Sequence, residues 1–195
     1  MYRVYTTECF VLASKHAGEA NSYFFLLTRE LGHITAFAQG VRELKSKLRY
    51  SMERYAYVQI SLIRGKEKWR LTNASKLSDF KEIGKHREKL QLQSKLCALL
   101  ERLMKGEEED KRLFDEVVAS LRFLSVMELS AEGLKDYELL SVLRILDCLG
   151  YVAPRDNWCD LLGVDMWQGG VLPDIRQKRA KLFAAVNESL YHSQL

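Results

Sequence analysis

RYAYVQISLIR, residues 54–64, is the stretch that decides the fold of the first half of the chain. Its residues alternate between two faces, one carrying Ala56, Val58, Ile60 and Leu62 and the other Tyr55, Tyr57, Gln59 and Ser61. Strict alternation is the period of a β-strand with one buried face. The segment therefore predicts a strand whose aliphatic face packs into a core.

Further strands are predicted on both sides of this segment. A turn at residues 64–66 leads to a second alternating run from Trp69 to Thr72, which predicts a hairpin with Trp69 facing the core. Residues 8–13, 22–28 and 33–39 are rich in aromatic and branched side chains, as strands are. Five strands with short turns and one basic loop at 40–52 predict a small closed barrel, because closure removes exposed edges. Periodicity alone leaves an open sheet as the alternative.

The second half of the sequence predicts helices. Leucines recur at helical spacing in residues 92–103 and 113–124, and the acidic run 107–110 before the second of these predicts a solvated helix cap. A third helix is predicted from Leu134 to Leu149, with Leu139, Val142, Leu143 and Leu146 inward and Gly150 at its end. A last helix opens at Pro173 and runs to about Leu190. The fold class is α+β, with a barrel domain at 1–80 and a helical domain at 81–195.

Charge is distributed unevenly between these halves. Residues 1–80 carry 13 Lys and Arg against 7 Asp and Glu, whereas residues 81–195 carry 17 against 19. A positive excess confined to one segment is typical of a protein that binds a polyanion. No apolar run is long enough to cross a bilayer and no signal peptide is evident, so a soluble cytoplasmic protein without a membrane partner is expected.

Motifs for catalysis or metal binding are missing from the sequence. Neither a phosphate-binding Gly-x-x-x-x-Gly-Lys loop nor a Gly-x-Ser-x-Gly turn occurs. The four histidines and four cysteines are scattered without metal-ligand spacing, and this size of chain argues against a disulfide framework. A non-enzymatic protein with no cofactor is therefore predicted.

Basic and aromatic residues are interleaved in the segment from Gly40 to Arg70. Single-stranded nucleic acid is bound by this mixture, since cations contact phosphates while aromatic rings stack on unpaired bases. The candidate DNA-binding residues are Arg42, Lys45, Lys47, Arg49, Tyr50, Arg64, Lys66, Lys68 and Arg70. The first four crowd one loop against mutual repulsion, and Tyr50 is the best stacking candidate because it lies in that loop. A second basic cluster begins the last helix: Arg176, Lys178, Arg179 and Lys181.

Several of these segments together resemble the N-terminal signature of the bacterial RecO family of DNA repair and recombination proteins. The matching segments are Gly18–Ser22, Leu27–Ile34, Gly40–Arg42 and Ser46–Arg49, in the family's order and spacing within residues 8–75. Residues 149–154 and 169–172 resemble later family segments more loosely. The resemblance implies an oligonucleotide-binding (OB) barrel followed by a helical domain.

The resemblance also implies a function and a set of partners. It implies a recombination mediator that binds single- and double-stranded DNA, anneals complementary strands and engages the acidic C-terminal tail of single-stranded-DNA-binding protein. With RecR, such a mediator helps to load RecA. Many family members carry a four-cysteine zinc site near the positions of 159–173, but only Cys159 is present here, and Pro173 stands near a later cysteine position. Zinc is therefore not expected.

Other functions remain open at this stage. The chain is shorter at its C-terminal end than typical family members, so a reduced pocket for the acidic tail is expected. A protein-binding adaptor, whose barrel only steadies the helical domain, is one alternative. An RNA-binding OB module is another, and an enzyme with a site assembled from distant residues is the most remote.

Overall fold

The computed structural model describes residues 3–66, 68–78, 80–104, 106–152, 161–162, 167 and 171–192. The chain divides into two compact units. The first comprises Met1–Phe80 together with Met104–Phe114, and the second comprises Lys81–Leu103 together with Asp115–Leu195. The segment 104–114, which includes the first four residues of the helix Lys111–Val126, thus clusters with the barrel.

The first unit is a closed five-stranded barrel. Its strands are β1 (Val4–Ala17), β2 (Asn21–Thr28), β3 (Gly32–Ala38), β4 (Tyr57–Arg64) and β5 (Trp69–Ser78), with a short helix α1 (Leu48–Ser51) between β3 and β4. The strands are ordered β1-β2-β3-β5-β4, and β4 closes back onto β1. All neighbours are antiparallel except β3 and β5. The predicted closed barrel of the OB class is confirmed, and the open-sheet alternative is excluded.

Strand β1 is much longer than the predicted 8–13, and its length is what closes the barrel. Residues 4–10 pair with β4, and residues 9–17 pair with β2. A register shift between Val11 and Ala13 marks a bulge, which bends a strand and increases its twist. Exposed residues occur near both ends of β1, Val4 and Thr6 at the start and Ser14 to His16 near the end, so hydrogen-bonded pairing rather than hydrophobic alternation holds these ends in the sheet.

The barrel core follows the alternation that the sequence predicts. Ala56, Val58, Ile60 and Leu62 are buried, and Trp69 is only 5% exposed, so its predicted inward orientation is confirmed. On the outside of the barrel, Phe10 is also fully buried. It contacts Phe80, while Tyr57 contacts Phe114. Residues 80 and 104–114 therefore cover part of the outer surface of the barrel.

The second unit is helical. Its elements are α2 (Lys81–Gly84), α3 (Arg87–Leu103), α4 (Lys111–Val126), of which residues 115–126 belong here, α5 (Ala131–Cys148) and α6 (Val171–His192). The Ser130 hydroxyl accepts a hydrogen bond from the Gly133 amide at the start of α5. Gly150, with φ of +76°, follows its C-terminal end, as predicted. None of the helices in the described part of the chain is long and apolar enough to span a membrane.

Helix α5 buries a different face from the one predicted. Leu143 and Leu146 are buried as expected, but Leu139 and Val142 are only half-buried. The prediction was wrong for those two because the buried face is centred on Tyr137, Leu140 and a set of polar residues. The buried polar residues of α5 are Asp136, Ser141 and Arg144.

One buried charge pair anchors this polar face. Arg144 is 2% exposed, and its guanidinium donates to Glu116 Oε1 at 3.1 Å and to the Leu161 carbonyl at 2.8 Å. Trp167 lies against the same guanidinium, with 4.9 Å between Cζ and the ring centre, and donates its indole N–H to Glu116 at 2.7 Å. The carboxylate and the guanidinium thus satisfy each other where water is excluded.

Candidate nucleic-acid interface

Two aromatic rings lie side by side on the outer face of β2 and β3. Tyr23 and Phe37 are cross-strand partners, and their ring centres are 5.2 Å apart with a 55° tilt. Both are half-buried. Lys68 Nζ lies 4.4 Å from the centre of Phe37 and 3.4 Å from the Tyr23 hydroxyl. We call these three residues the aromatic platform; its two inclined rings offer a partly exposed aromatic surface with a cation beside it.

The β4–β5 hairpin brings further cations to the aromatic platform. The Gly65 amide donates to the Lys68 carbonyl at 2.9 Å, which closes the turn and leaves Lys66 exposed at its tip. A Cβ atom at Gly65 would lie 2.8 Å from the same carbonyl oxygen, so this tight turn requires glycine. Arg70 is exposed and is the cross-strand partner of Phe37. Lys68 and Arg70 therefore lie at the aromatic platform, and Lys66 lies in the turn of the same hairpin.

The basic loop, residues 40–52, is tied at its beginning to the β1–β2 turn. The Gly40 amide donates to Asn21 Oδ1 at 2.8 Å, and the Arg42 amide donates to the Ala20 carbonyl at 2.9 Å. The Arg42 guanidinium also donates to the Gly18 carbonyl at 3.2 Å. These bonds fix the entry of the loop, so that its cations are presented from a defined position.

The remaining cations of the basic loop are exposed. Within the described part of the chain, no carboxylate forms an ion pair with Lys45, Lys47 or Arg49. Tyr50, the predicted stacking residue, is 66% exposed. The fold thus leaves the predicted loop residues available to a ligand, and their role in binding stays a prediction.

A cavity opens at the end of the barrel beneath the basic loop. It has a volume of about 250 Å³ and is lined by Ser14, Ser22, Phe24, Val41, Arg42, Arg49 and Met52. We call it the mouth pocket. Arg42 and Arg49 therefore belong to a concave site, whereas the sequence analysis treated them only as members of a charged loop.

Arg64 differs from the other predicted contacts because it already has a partner within the barrel unit. Its guanidinium donates to both carboxylate oxygens of Glu107, at 2.6 and 2.7 Å. It also lies 4.6 Å from the centre of the Trp69 ring, whose indole N–H donates to Glu107 at 3.1 Å. The acidic run is therefore more than the predicted solvated cap. Asp110 does cap α4 by accepting from the Leu113 amide at 2.8 Å, but Glu107 binds the barrel.

The second basic cluster is partly neutralised within the helical unit. Arg179 donates to Asp136 and Glu132, at 2.5 and 2.7 Å, and Arg176 lies 3.4 Å from Asp136. Hydrogen bonds from Lys135 and Arg179 lower the pKa of Glu132 to about 2. Lys178 and Lys181 remain as cations for which no such contact occurs within the described part of the chain.

Metal ligands do not come together in the described residues, where no group of three or more His, Cys, Asp or Glu could hold an ion. Cys159, which the resemblance had placed near an expected zinc region, lies outside the described residues.

Tyr23 and Phe37 were missed as functional residues. The signal was present in the sequence, because both occupy outward positions between buried residues of predicted strands, where a large aromatic ring has no core to fill. What the sequence lacked was the cross-strand register that brings the two rings together.

Residues 1–80 match the family described as "Recombination protein O N terminal". Similar curated proteins include "DNA repair protein RecO" of Roseiflexus sp. (strain RS-1), which is 32% identical over 76% of this chain and 51% of its own length. The protein of that name from Heliobacterium modesticaldum is 32% identical over 80% of this chain and 55% of its own. A third, from Dehalococcoides mccartyi, is 29% identical over 94% of this chain and 74% of its own. The chain spans about half the length of the first two relatives.

Proposed function

We propose, on the premise that residues 1–80 belong to the RecO family, that this chain acts in DNA repair as a non-enzymatic, cytoplasmic DNA-binding protein. In this proposal residues 1–80 are the nucleic-acid-binding domain and residues 81–195 are a helical domain. The observation that carries the proposal is the aromatic platform on the β2–β3 face, with Lys68 against its rings and Arg70 as the cross-strand partner of Phe37. OB barrels bind oligonucleotides on the same face, between the β1–β2 and β4–β5 loops.

The two parts of this surface supply different components of binding. Lys45, Lys47, Arg49, Lys66 and Arg70 would contact phosphates, which makes affinity strongly dependent on salt. Tyr23 and Phe37 would stack on unpaired bases without reading their sequence. Each stacked base contributes roughly 1–3 kcal/mol, so the platform would favour single strands over duplexes. Tyr50 adds a third ring on the basic loop.

The proposal extends to a role as recombination mediator. Holding two unpaired strands on a cationic surface would help complementary strands to anneal, since the bound protein lowers their mutual repulsion. The relatives carry the name of a DNA repair protein. We propose double-stranded DNA, the acidic tail of single-stranded-DNA-binding protein, and RecR as further partners, with RecA as an indirect one.

Aromatic substitutions test the binding surface. A fluorescent oligothymidine is titrated with wild-type protein, with Phe37→Leu and Tyr23→Leu, and with Tyr191→Leu as a control, because Tyr191 is 81% exposed on α6. Loss of one stacked base predicts weakening of roughly 5- to 150-fold for the platform variants. The control should bind as the wild type does. Equal affinity of all four proteins would refute the assignment of the platform.

Charge reversal tests the basic loop separately. Four phosphate contacts to a single strand give a slope of about −3 in a plot of log affinity against log salt. Lys45→Glu, Lys47→Glu and Arg49→Glu together should flatten that slope by roughly 2 and weaken binding. An unchanged affinity and slope would remove the loop from the interface.

Two further measurements separate the proposed role from its alternatives. Competition between DNA and RNA strands of one sequence distinguishes a DNA protein from an RNA-binding OB module. Binding of an acidic, Phe-terminated peptide without any DNA binding would favour a protein adaptor. Strand annealing, measured with and without coating protein, tests the mediator role, because a plain binder would not anneal coated strands.

A further inference from the structure

We propose that the mouth pocket holds one unpaired nucleotide, with its base inside the barrel end and its phosphate on Arg42 and Arg49. This inference rests on the proposed function and assigns a second, separate binding mode to it. The aromatic platform stacks successive bases on the outer face of the barrel, whereas the mouth pocket would receive a single base that has left the stack.

Small side chains at the barrel end explain why the mouth pocket exists. Ser22 occupies the inward position before Phe24 and Leu26 in β2, and it pairs with Ala38 of β3. Ser14 pairs with Phe24 across β1 and β2. Large apolar residues at these positions would fill the barrel end, as they do further along the same strands. The two serines leave about 250 Å³ unfilled under the basic loop.

The lining of the mouth pocket matches the chemistry of a nucleotide. Phe24, Val41 and Met52 are buried members of the barrel core and form an apolar wall suited to the flat face of a base. The hydroxyls of Ser14 and Ser22 offer hydrogen-bonding groups for its polar edge. The apolar wall favours a ligand with a large apolar part beside its charged group, because that part is removed from water when it packs against the wall.

Two guanidinium groups at the rim supply the contacts to phosphate. Each carries five N–H donors, and one donor of Arg42 contacts the Gly18 carbonyl at 3.2 Å. Within the described residues, no carboxylate pairs with Arg49. Drug-sized ligands occupy pockets of roughly 300–1,000 Å³, so a smaller pocket is suited to one base rather than to a longer stretch of chain.

A duplex with one unpaired nucleotide tests this inference. The probe is a duplex that carries a single bulged 2-aminopurine, compared with the same duplex fully paired and with an oligothymidine. Wild-type protein should bind the bulged duplex about tenfold more tightly than the paired one, because the bulged base is removed from the stack at little expense. The fluorescence of 2-aminopurine should change on binding, since the base enters a new environment.

Variants of the pocket lining identify the place where the base is held. Ser14→Phe fills the cavity from an exposed position without changing charge, and Arg49→Gln removes one rim cation at similar size. Both should reduce the preference for the bulged duplex to less than about twofold and abolish the fluorescence change. Lys47→Gln is the matched control, because Lys47 lies in the same loop but does not line the pocket. It should weaken binding of all three probes equally and keep the preference.

The outcomes distinguish this inference from the proposed function. If wild-type protein binds oligothymidine but does not prefer the bulged duplex, or if Ser14→Phe keeps that preference, the pocket assignment is wrong and the proposed function stands. If wild-type protein binds none of the three probes, both fail together. If Ser14→Phe removes binding of an acidic peptide and leaves the bulge preference intact, the pocket belongs to a peptide.

Discussion

Replacing Gly32 with alanine should destabilise the barrel unit much more than the same change at Gly18. Both residues have positive φ, +64° and +69°, where a side chain costs about 1–2 kcal/mol. Their surroundings differ. A Cβ atom at Gly18 would meet nothing within 4 Å, but one at Gly32 would lie 2.0 Å from the backbone oxygen of Glu108. Alanine at Gly32 must therefore displace the segment 104–114 from the β2–β3 turn.

The magnitude follows from the contacts that this displacement breaks. The Arg64–Glu107 pair is about half-exposed, with 46% and 45% of its side chains accessible, so its loss costs about 0.2–1 kcal/mol. The indole N–H of the buried Trp69 loses its acceptor, which costs about 1–3 kcal/mol. With the backbone strain, Gly32→Ala should destabilise the unit by about 2–6 kcal/mol, against about 1–2 kcal/mol for Gly18→Ala.

Hydrogen exchange, read by mass spectrometry on the full chain, measures this difference. Peptides from β2 and β3 report the opening free energy of the barrel separately from that of the helical unit. The Gly32→Ala protein should exchange faster in these peptides than the Gly18→Ala protein, and its Trp69 fluorescence should shift as the indole loses Glu107. Equal effects of the two substitutions would refute the packing of residues 104–114 against the turn.

Two further predictions concern the helical unit. Arg144→Ala should lower the unfolding free energy of this unit by about 3–5 kcal/mol in urea titrations at pH 7, because the buried Glu116 carboxylate loses its partner. Lys95→Ala, which removes one partner of an exposed ion pair, should change the unfolding free energy by less than about 1 kcal/mol. Similar losses for the two variants would contradict this prediction. The pKa of Glu132 is lowered to about 2. The contribution of its carboxylate to the stability of the helical unit is therefore present above pH 4.5 and is lost as pH falls from 4.5 towards 2. Thermal unfolding measured across that range should therefore depend less on pH in Glu132→Gln than in the wild type, and an identical pH dependence would exclude the contribution.

Local patterns predicted the barrel well because each strand carries its own alternation. Residues 54–64 specify which side chains face inward without reference to any other part of the chain, and Trp69 follows the same rule. The long β1 was only partly predicted, since its exposed ends are held by pairing with β2 and β4. In α5 the leucine pattern misled for a related reason. Arg144 and Asp136 are buried there because residues distant in sequence neutralise them. A pattern of apolar residues cannot predict the burial of such charged side chains.

The candidate site was predictable in its charges but not in its geometry. The cations of the basic loop could be identified from the sequence alone, because four of them occur within eight residues. The aromatic platform depends on the register between β2 and β3, and the mouth pocket depends on small residues from two strands meeting under a loop. Both are long-range juxtapositions, which no pattern within a single segment encodes.

Pairing, rather than the number of charges, separates the two basic clusters of the chain. Each has four cations close together in sequence, and their composition gives no reason to prefer one. In the helical cluster Arg179 and Arg176 contact Asp136, so part of the charge stabilises α5 against α6. In the basic loop, Lys45, Lys47 and Arg49 have no such partner within the described residues. Repulsion among unneutralised charges is unfavourable in the free protein, and a polyanionic ligand relieves it. The basic loop therefore has the stronger physical reason to bind DNA.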